Sequence, residues 1–408
     1  MGLLNWLTAA RPPERRVAPD WSGPLSLATP SLFGIDSSDA GVSVTPDSAM
    51  AATAVYACVR VISSAFAGLP FHFIDRANKE RDDGHRLVEI LNENPNPEMT
   101  GFAYKQAVMI NALLHGAGYS YIQKDVTGRA AELYPLPGCT YPFRLPNGNL
   151  VYRGTTGGRG FELTPDQVFA VVGMSRDGIS PISPVSQGVN AIGLALAMEK
   201  FGSKFFSNGG NLGAIVALPA AMKAPAVEAF KASWKANYSG PDNSFKTALL
   251  TDGMTYTKTG TDPKSAQMLD ARVFQVREVA RVYGVPLHMI GDLENATFSN
   301  IEHQGIEFQQ QTIQPWAQRW EQEGNRKLLG EDERRVIETR ANLDSLLRSD
   351  TAARYAAYNQ GRQGGWLTVN DIRRKEGMPP VPGGDELLSP LNMTPVGSRK
   401  PAAEGDKQ

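Results

Sequence analysis

The chain is poor in the residues and spacings that mark common classes of protein. Its two cysteines, Cys58 and Cys139, stand far apart and in no CxxC pair. That excludes a disulfide framework and a zinc site built on paired thiolates, and it fits a reducing compartment with Cys58 as a small core residue. There is no GxxxxGK[ST] loop to cradle a nucleoside triphosphate, no GxSxG elbow to carry a nucleophile, and no HExxH pair to hold a catalytic metal. No apolar run approaches the roughly 20 residues that a membrane-crossing helix needs. Neither sign of charge dominates: 41 Lys and Arg face 42 Asp and Glu, for a net charge of -1. Such a balance gives no global attraction to nucleic acid or anionic lipid. The apolar opening from Met1 to Ala10 precedes Arg11 instead of following a basic stretch, and Trp6 stands where a myristoylation signal prefers Ser or Thr. Neither a secretory signal nor an acyl anchor is expected.

The histidines are as uninformative. His288, Asp292, Glu302 and His303 come nearest to a cluster, yet they would have to converge from a polar loop beside a capped helix. No catalytic, metal or cofactor-binding residue is expected. Gly157-Gly158-Arg159-Gly160 opens no helix and reads as a hairpin loop, not a phosphate cradle.

What is present is a strongly organised stretch from Asp262 to Leu329. Asp262-Pro263 supplies an N-cap and a proline at the first helical position. Leu269, Val273, Val276, Ala280 and Tyr283 then recur at helical spacing as the side to be buried, while Arg272, Arg277 and Arg281 fall among the other faces. Gly284 fits the left-handed position after a helix, and Pro286 stops continuation. At about 1.5 Å per residue this helix is on the order of 33 Å long, which suits a strut better than a core element. The loop that follows carries Asp292 and Glu294 and no Lys or Arg. Ser299 and Glu302, in capping-box spacing, open a second long helix with Ile301, Ile306, Phe308, Ile313, Trp316 and Trp320, and Pro315 inside it predicts a kink.

The 408 residues exceed what one core usually supports, so two or more packed regions are expected. Residues 1–44, rich in Pro, Ser, Gly and Asp around Trp6, Trp21 and Phe33, read as an extended arm. Thr45-Pro46-Asp47 starts a helix carried on through Val55, Val59 and Ile62. A strand at 69–74, a short helix at 85–91, and a helix at 102–114 burying Phe102, Val108, Leu113 and Leu114 come next. Strand signals at 119–123, 131–134, 141–144, 150–153 and 168–172 predict one mostly antiparallel sheet, and the class is α+β. Ser183-Pro184 opens a helix to about Ser207, with Val185, Val189, Ile192, Leu196 and Phe205 on one face. Gly188, Ala191, Gly193, Ala195 and Ala197 leave much of its surface smooth enough for close backbone approach. A strand at 212–218, an amphipathic helix at 225–238 and a hairpin around Asp252-Gly253 form a small unit between this helix and the one beginning at Asp262. The two helices are expected side by side with the unit at their far end. Beyond Leu329, 336–339 reads as a returning strand, 345–360 and the stretch from Thr368 as helices, and 377–384 as a break before a mobile tail.

Several blocks recur in one order: Ala54-Val55-Tyr56-Ala57-Cys58-Val59 with Leu69-Pro70, Asn94-Pro95-Asn96, Leu113-Leu114 through Gly116, Gly118 and Tyr121, and Asp270-Ala271-Arg272-Val273-Phe274. Val279 to Gly291, Ser299-Asn300-Ile301-Glu302, Gly365 to Arg373 and Pro379 to Asp385 complete the series. Together they resemble the portal proteins of tailed double-stranded DNA bacteriophages over residues 46–385.

The resemblance implies a portal-type fold: arm 1–44, an α+β wing 45–182, first stem helix 183–208, an α/β clip 209–261 and second stem helix 262–286. A tunnel loop 287–299, a wing helix and return strand 300–340, a helical crown 341–388 and a disordered tail 389–408 follow. It further implies a homo-oligomeric ring, dodecameric in the family's mature form, at one capsid vertex of the virion, assembled in the host cytoplasm. Double-stranded DNA would pass through it without sequence specificity during packaging and ejection. The implied partners are the terminase large subunit, head-tail connector proteins, and the major capsid and scaffolding proteins, with no membrane, no cofactor and no enzymatic step. Carried onto these positions, the tunnel loop offers Asp292, Glu294, Asn295 and Phe298, the stem Arg272, Arg277, Arg281, Lys200 and Lys204, and the clip Trp234, Tyr238 and Lys258. Asp292 and Glu294 are expected to repel the DNA backbone, and smooth stem helices suit head-to-tail ring packing. The alternative is a head-tail adaptor or minor capsid protein, which needs neither this length nor a two-helix stem. A packaging enzyme is disfavoured by the missing Walker loop.

Overall fold

A small hairpin, β1 (Asp36–Ser37) against β2 (Ser43–Val44), leads into a helical entry. The computed structural model describes residues 36–207, 214–217, 223–238, 254–258, 268–294, 304–343, 346 and 351–387, which fall into two compact units dividing after Asn342. Thr45 caps α1 (Pro46–Ala49) in a reciprocal box: its hydroxyl accepts from the Ser48 N–H, and the Ser48 hydroxyl accepts from the Thr45 N–H. The helix expected across 45–62 is in fact two. Ala51 and Ala52 bond three residues back, to Ser48 and Ala49, which tightens the chain out of α geometry. α2 (Thr53–Ala67) then restarts from Ala52 and buries Val55, Cys58, Val59, Ile62 and Phe66.

Next come β3 (Phe71–Asp75), α3 (Arg86–Asn92) and α4 (Gly101–His115). Phe102 is exposed, contrary to the sequence reading; α4 turns Tyr104, Lys105, Val108, Met109 and Ala112 inward, a stripe that Phe102 does not share. The strands that follow are β4 (Ala117–Lys124), β5 (Ala130–Pro135), β6 (Tyr141–Arg144), β7 (Leu150–Thr156), β8 (Arg159–Leu163) and β9 (Val168–Val172). They form two antiparallel sheets, β5-β4-β9 and β6-β7-β8, instead of one. The sequence reading missed β8 because it is mostly solvent-facing, and a strand without alternating apolar residues has no period-two signal. The rings of Tyr119 and Tyr152, 5.3 Å apart, join the two sheets.

Ser183 caps α5 (Pro184–Gln187), which is followed by α6 (Val189–Ser207). β10 (Ala214–Ala217), α7 (Ala224–Tyr238) and β11 (Thr255–Lys258) come before α8 (Met268–Tyr283). β11 pairs antiparallel with β10, Ala214 opposite Lys258 and Ala217 opposite Thr255. The expected hairpin partner at 247–250 and the turn at Asp252-Gly253 lie outside the described residues, as do the predicted helix start at Asp262-Pro263, residues 1–35 of the arm and the tail 389–408. Residues 36–44, expected as part of the flexible arm 1–44, are instead ordered as the β1-β2 hairpin. α8 packs on α6, α5 and α2, so the helix entering the small unit and the one leaving it do share contact. Part of the smooth surface of α6 is used within the chain: a Cβ on Gly193 would come within 2.3 Å of Ser38 on the entry hairpin.

The second long helix is described from residue 304: a first turn, α9 (304–307), a π-helical segment Phe308–Ile313, and α10 (Gln314–Lys327). The turn just before Pro315, where a kink is predicted, is that π segment. The missing N–H of Pro315 breaks the i→i−4 ladder, and one extra residue per turn just before it absorbs the break. α11 (Glu333–Val336) leads to β12 (Ile337–Ala341), the returning strand, antiparallel to β3. The core gathers around Trp320, fully buried, with ring centroids of Phe66 and Phe169 at 5.2 Å, Phe71 at 5.9 Å and Tyr104 at 6.0 Å. One side chain thereby joins α2, β3, α4 and β9 to α10.

The second unit holds α12 (Thr351–Gln363) and α13 (Val369–Lys375), the latter capped by Thr368 and Asp371. Arg354 pairs with Glu376 at 2.8 Å. The Pro/Gly-rich segment after Gly377 forms no regular element, yet buried Asn370 binds it, donating to the Val381 carbonyl and accepting from the Val381 N–H.

Candidate stem and tunnel-loop site

The site is assembled from the C-terminal end of α8. Gly284 has φ +66°, and the turn is stapled by two bonds, Gly284 N–H to the Arg281 carbonyl and Val285 N–H to the Ala280 carbonyl. This is a Schellman ending, and the left-handed backbone that it needs is why glycine stands there. Leu287–Ile290 then makes one 3₁₀ turn. Two side chains tie this turn to the second long helix: Thr312 Oγ1, in the π segment, donates to the Gly284 carbonyl at 2.5 Å, and His288 Nδ1 lies 2.6 Å from Gln304 Oε1.

The electrostatics differ from the sequence expectation of two uncompensated acids. Arg277 on α8 reaches forward to both, its Nε 3.1 Å from Asp292 Oδ2 and its Nη2 on Glu294 Oε2. The guanidinium holds the Asp292 carboxyl below the usual carboxylate range, and the two acids raise Arg277 in return. The three side chains together carry one negative charge, where the sequence reading counted two. No spacing rule reaches across the Schellman turn, which is why sequence reasoning missed the clamp.

The remaining predicted residues are not brought together. Arg281 pairs with Glu278 one turn back on its own helix. Arg272, Lys200 and Lys204 are exposed on α8 and α6. Trp234 is half-buried on α7 with its ring 5.7 Å from Phe230, and Tyr238 and Lys258 end α7 and β11. Asn295 and Phe298, like Ser299, Ile301, Glu302 and His303, lie outside the described residues. The buried stripe of α8 is Gln275, Val279, Ala280 and Tyr283, while Val273 is 42% exposed. The stripe is set by which face meets α2 and α6, and apolar spacing alone chose the wrong neighbour. Sequence reasoning also missed that Leu194, Phe201, Phe274 and Val282 are exposed on the same two helices.

A cleft of about 470 Å3 opens beside the stem ending, floored by Tyr283, Pro315 and Trp316 and flanked by Arg281 and Arg319. Among the described residues no group of three or more His, Cys, Asp or Glu is placed to hold a metal, and no helix is long and apolar enough to cross a membrane.

Two packed helices with a small α/β segment between them in sequence, and a long helix carrying a π segment that returns into an α+β body, define the fold. Residues 53–377 match the model of the phage portal protein family. The chain is 30% identical to the portal protein of Enterobacteria phage HK97, over 84% of this chain and 82% of that one. It is 32% identical to the probable portal protein of Streptomyces phage phiC31, over 90% and 84%. Among solved structures it is similar to an HK97 family phage portal protein from Corynebacterium diphtheriae, with TM-score 0.55 and 14% identity over 74% of this chain and 96% of that one. It is also similar to a chain in the neck of an empty gene transfer agent particle computed with C6 symmetry, with TM-score 0.56 and 21% identity over 82% and 93%. The chain belongs to the phage portal protein family.

Proposed function

We propose that this chain assembles into a closed ring at one vertex of a phage capsid and acts there as a structural conduit for double-stranded DNA. The observation that carries the reading is the helix pair α6 and α8, which packs together on one side yet exposes Leu194, Phe201, Val273, Phe274 and Val282. Apolar side chains spread along paired helices are stabilised when copies pack head-to-tail, and such an interface closes if its rotation divides the circle. Family membership supports the same assignment, as does likeness to a neck structure of a gene transfer agent particle computed with C12 symmetry.

In this reading residues 209–261 form the clip that meets the terminase large subunit and later the head-tail connector proteins, and the wing faces the major capsid and scaffolding proteins. The tunnel loop, residues 287–299, approaches the DNA. A chain of net charge -1 suits sliding without sequence preference, because a strongly basic lining would hold phosphates by counterion release. The place of action is the virion, with assembly in the host cytoplasm, and the role is non-enzymatic.

Negative-stain imaging and native mass spectrometry of the purified chain test the proposal. Closed rings with a central hole are expected; stable monomers across a wide concentration range would remove the conduit and leave the adaptor reading.

A further inference from the structure

Between α2, α6 and α8 lies a cavity of about 40 Å3, whose walls include Thr53 and Ala54 of α2, Glu199 of α6, and Arg272 and Gln275 of α8. Three independent features meet in it. The first is the start of α2, a 15-residue helix whose N-cap, Ala52, has no side chain to accept a hydrogen bond. First-turn N–H groups have no acceptor within a helix, and no hydrogen bond from elsewhere among the described residues reaches those of Thr53, Ala54 or Val55. Ala52, Ala54 and Val55 are nevertheless 3%, 8% and 0% exposed. The second is Gln275, only 8% exposed, whose amide oxygen has no hydrogen-bond partner. The third is Arg272, which forms no ion pair among the described residues.

We propose that this cavity is a binding site for a single small oxyanion of the phosphate or sulfate type. Open N–H groups and the positive end of the helix dipole favour negative charge at the start of α2. The Thr53 hydroxyl adds a donor, and the Arg272 guanidinium offers the forked geometry that oxyanions accept. Gln275 Oε1, an acceptor, has no partner among the described residues that a flip of the amide would forfeit, so a half-turn about its terminal torsion brings the NH2 end to the ion. Glu199 is the one acid on the wall and opposes the ion, which makes Arg272 indispensable. One water needs about 10–15 Å3, so this volume takes an ion of a few atoms and not a nucleotide or a peptide.

The test uses the full chain, titrated calorimetrically with sodium phosphate against sodium chloride at matched ionic strength, with thermal unfolding in parallel. Saturable binding and a rising Tm are expected. Gln275→Met, which keeps the volume and removes the amide, should weaken binding about tenfold, and Arg272→Met at least as much. Gln275→Glu tethers a carboxylate in the cavity: its Tm should exceed that of the parent without phosphate and respond no further to it. Circular dichroism confirms that each variant is folded. Absence of saturable heat, or Gln275→Met and Gln275→Glu responding like the parent, overturns the site and leaves a cavity that holds water only. A short DNA duplex is expected to leave bound phosphate in place, because the cavity admits no nucleotide; displacement by the duplex would overturn the assignment to a small free ion.

Discussion

Thr312 donates a hydrogen bond of 2.5 Å to the carbonyl of Gly284, joining the π segment of the second long helix to the left-handed residue that ends α8. Each partner exists because of a local irregularity, one forced by Pro315 and the other by the Schellman turn. The bond makes the two breaks support each other at the turn that follows α8.

Thr312→Val keeps the shape and removes the donor, leaving the Gly284 carbonyl without it. The expected cost is about 1–3 kcal/mol. Gly284→Ala forces a Cβ into a left-handed backbone and places it 3.3 Å from Thr312 Oγ1, at a further expected cost of about 1–2 kcal/mol. Urea unfolding checks both, and a Thr312→Val midpoint equal to that of the parent would show that the bond contributes nothing.

Arg277→Gln frees Asp292 and Glu294 from their shared partner. Because Arg277 holds the Asp292 pKa below its unfolded value, the pairing contributes stability above that unfolded value, about 3.9, which is lost as pH falls through the folded one. The variant should therefore melt below the parent at pH 7, with the gap closing as the solution is acidified to pH values below both. Thermal melts across that range measure it, and a gap independent of pH would assign the loss to packing.

Lys105 is buried on α4, with its Nζ 2.6 Å from the Leu69 carbonyl and 5.6 Å from the centre of the Phe71 ring, and burial pushes its pKa down to about 8. Its folded pKa lies below its unfolded one, so between about pH 8 and 10.5 the unfolded chain binds more protons and stability rises with pH. Below pH 8 the full penalty is present. Lys105→Met should remove that rise, whatever it does to stability at any one pH through the bond lost at Leu69. Urea midpoints from pH 7.5 to 10.5 decide it: equal slopes in the two proteins would contradict the assignment.

Gly193 faces Ser38 with no room for a side chain. Gly193→Ala should lift the β1-β2 hairpin from α6 and abolish hydrogen-exchange protection of the Ser38 amide, which bonds to the Val42 carbonyl at 3.0 Å. Adding Ser38→Gly makes room for the new methyl and should restore docking in part. Undiminished protection in Gly193→Ala would mean that the hairpin accommodates a Cβ by a small shift.

Much of the element order was legible because it rests on local chemistry. Thr45 and Ser183 cap helices, Gly284 ends one, and β3, β9 and β12 fall where their apolar residues predict. The errors share a cause. Phe102 and Val273 are apolar at helical spacing yet face solvent, and β8 is a strand without an apolar face. Periodicity identifies a helix and its amphipathic character, but the neighbour decides which adjacent stripe is covered.

The candidate site divides the same way. By itself the sequence determined the abrupt end of α8, the acidic residues in the turn beyond it and the family, because these depend on residues adjacent in the chain or in a fixed series of blocks. Tertiary structure alone decided that Arg277 clamps Asp292 and Glu294, that Trp320 gathers four other elements, and that the start of α2 opens toward Arg272 and Gln275. Each of those joins residues across a turn or between distant segments, and their energies arise only once packing has brought charges and rings within a few ångströms and excluded water between them.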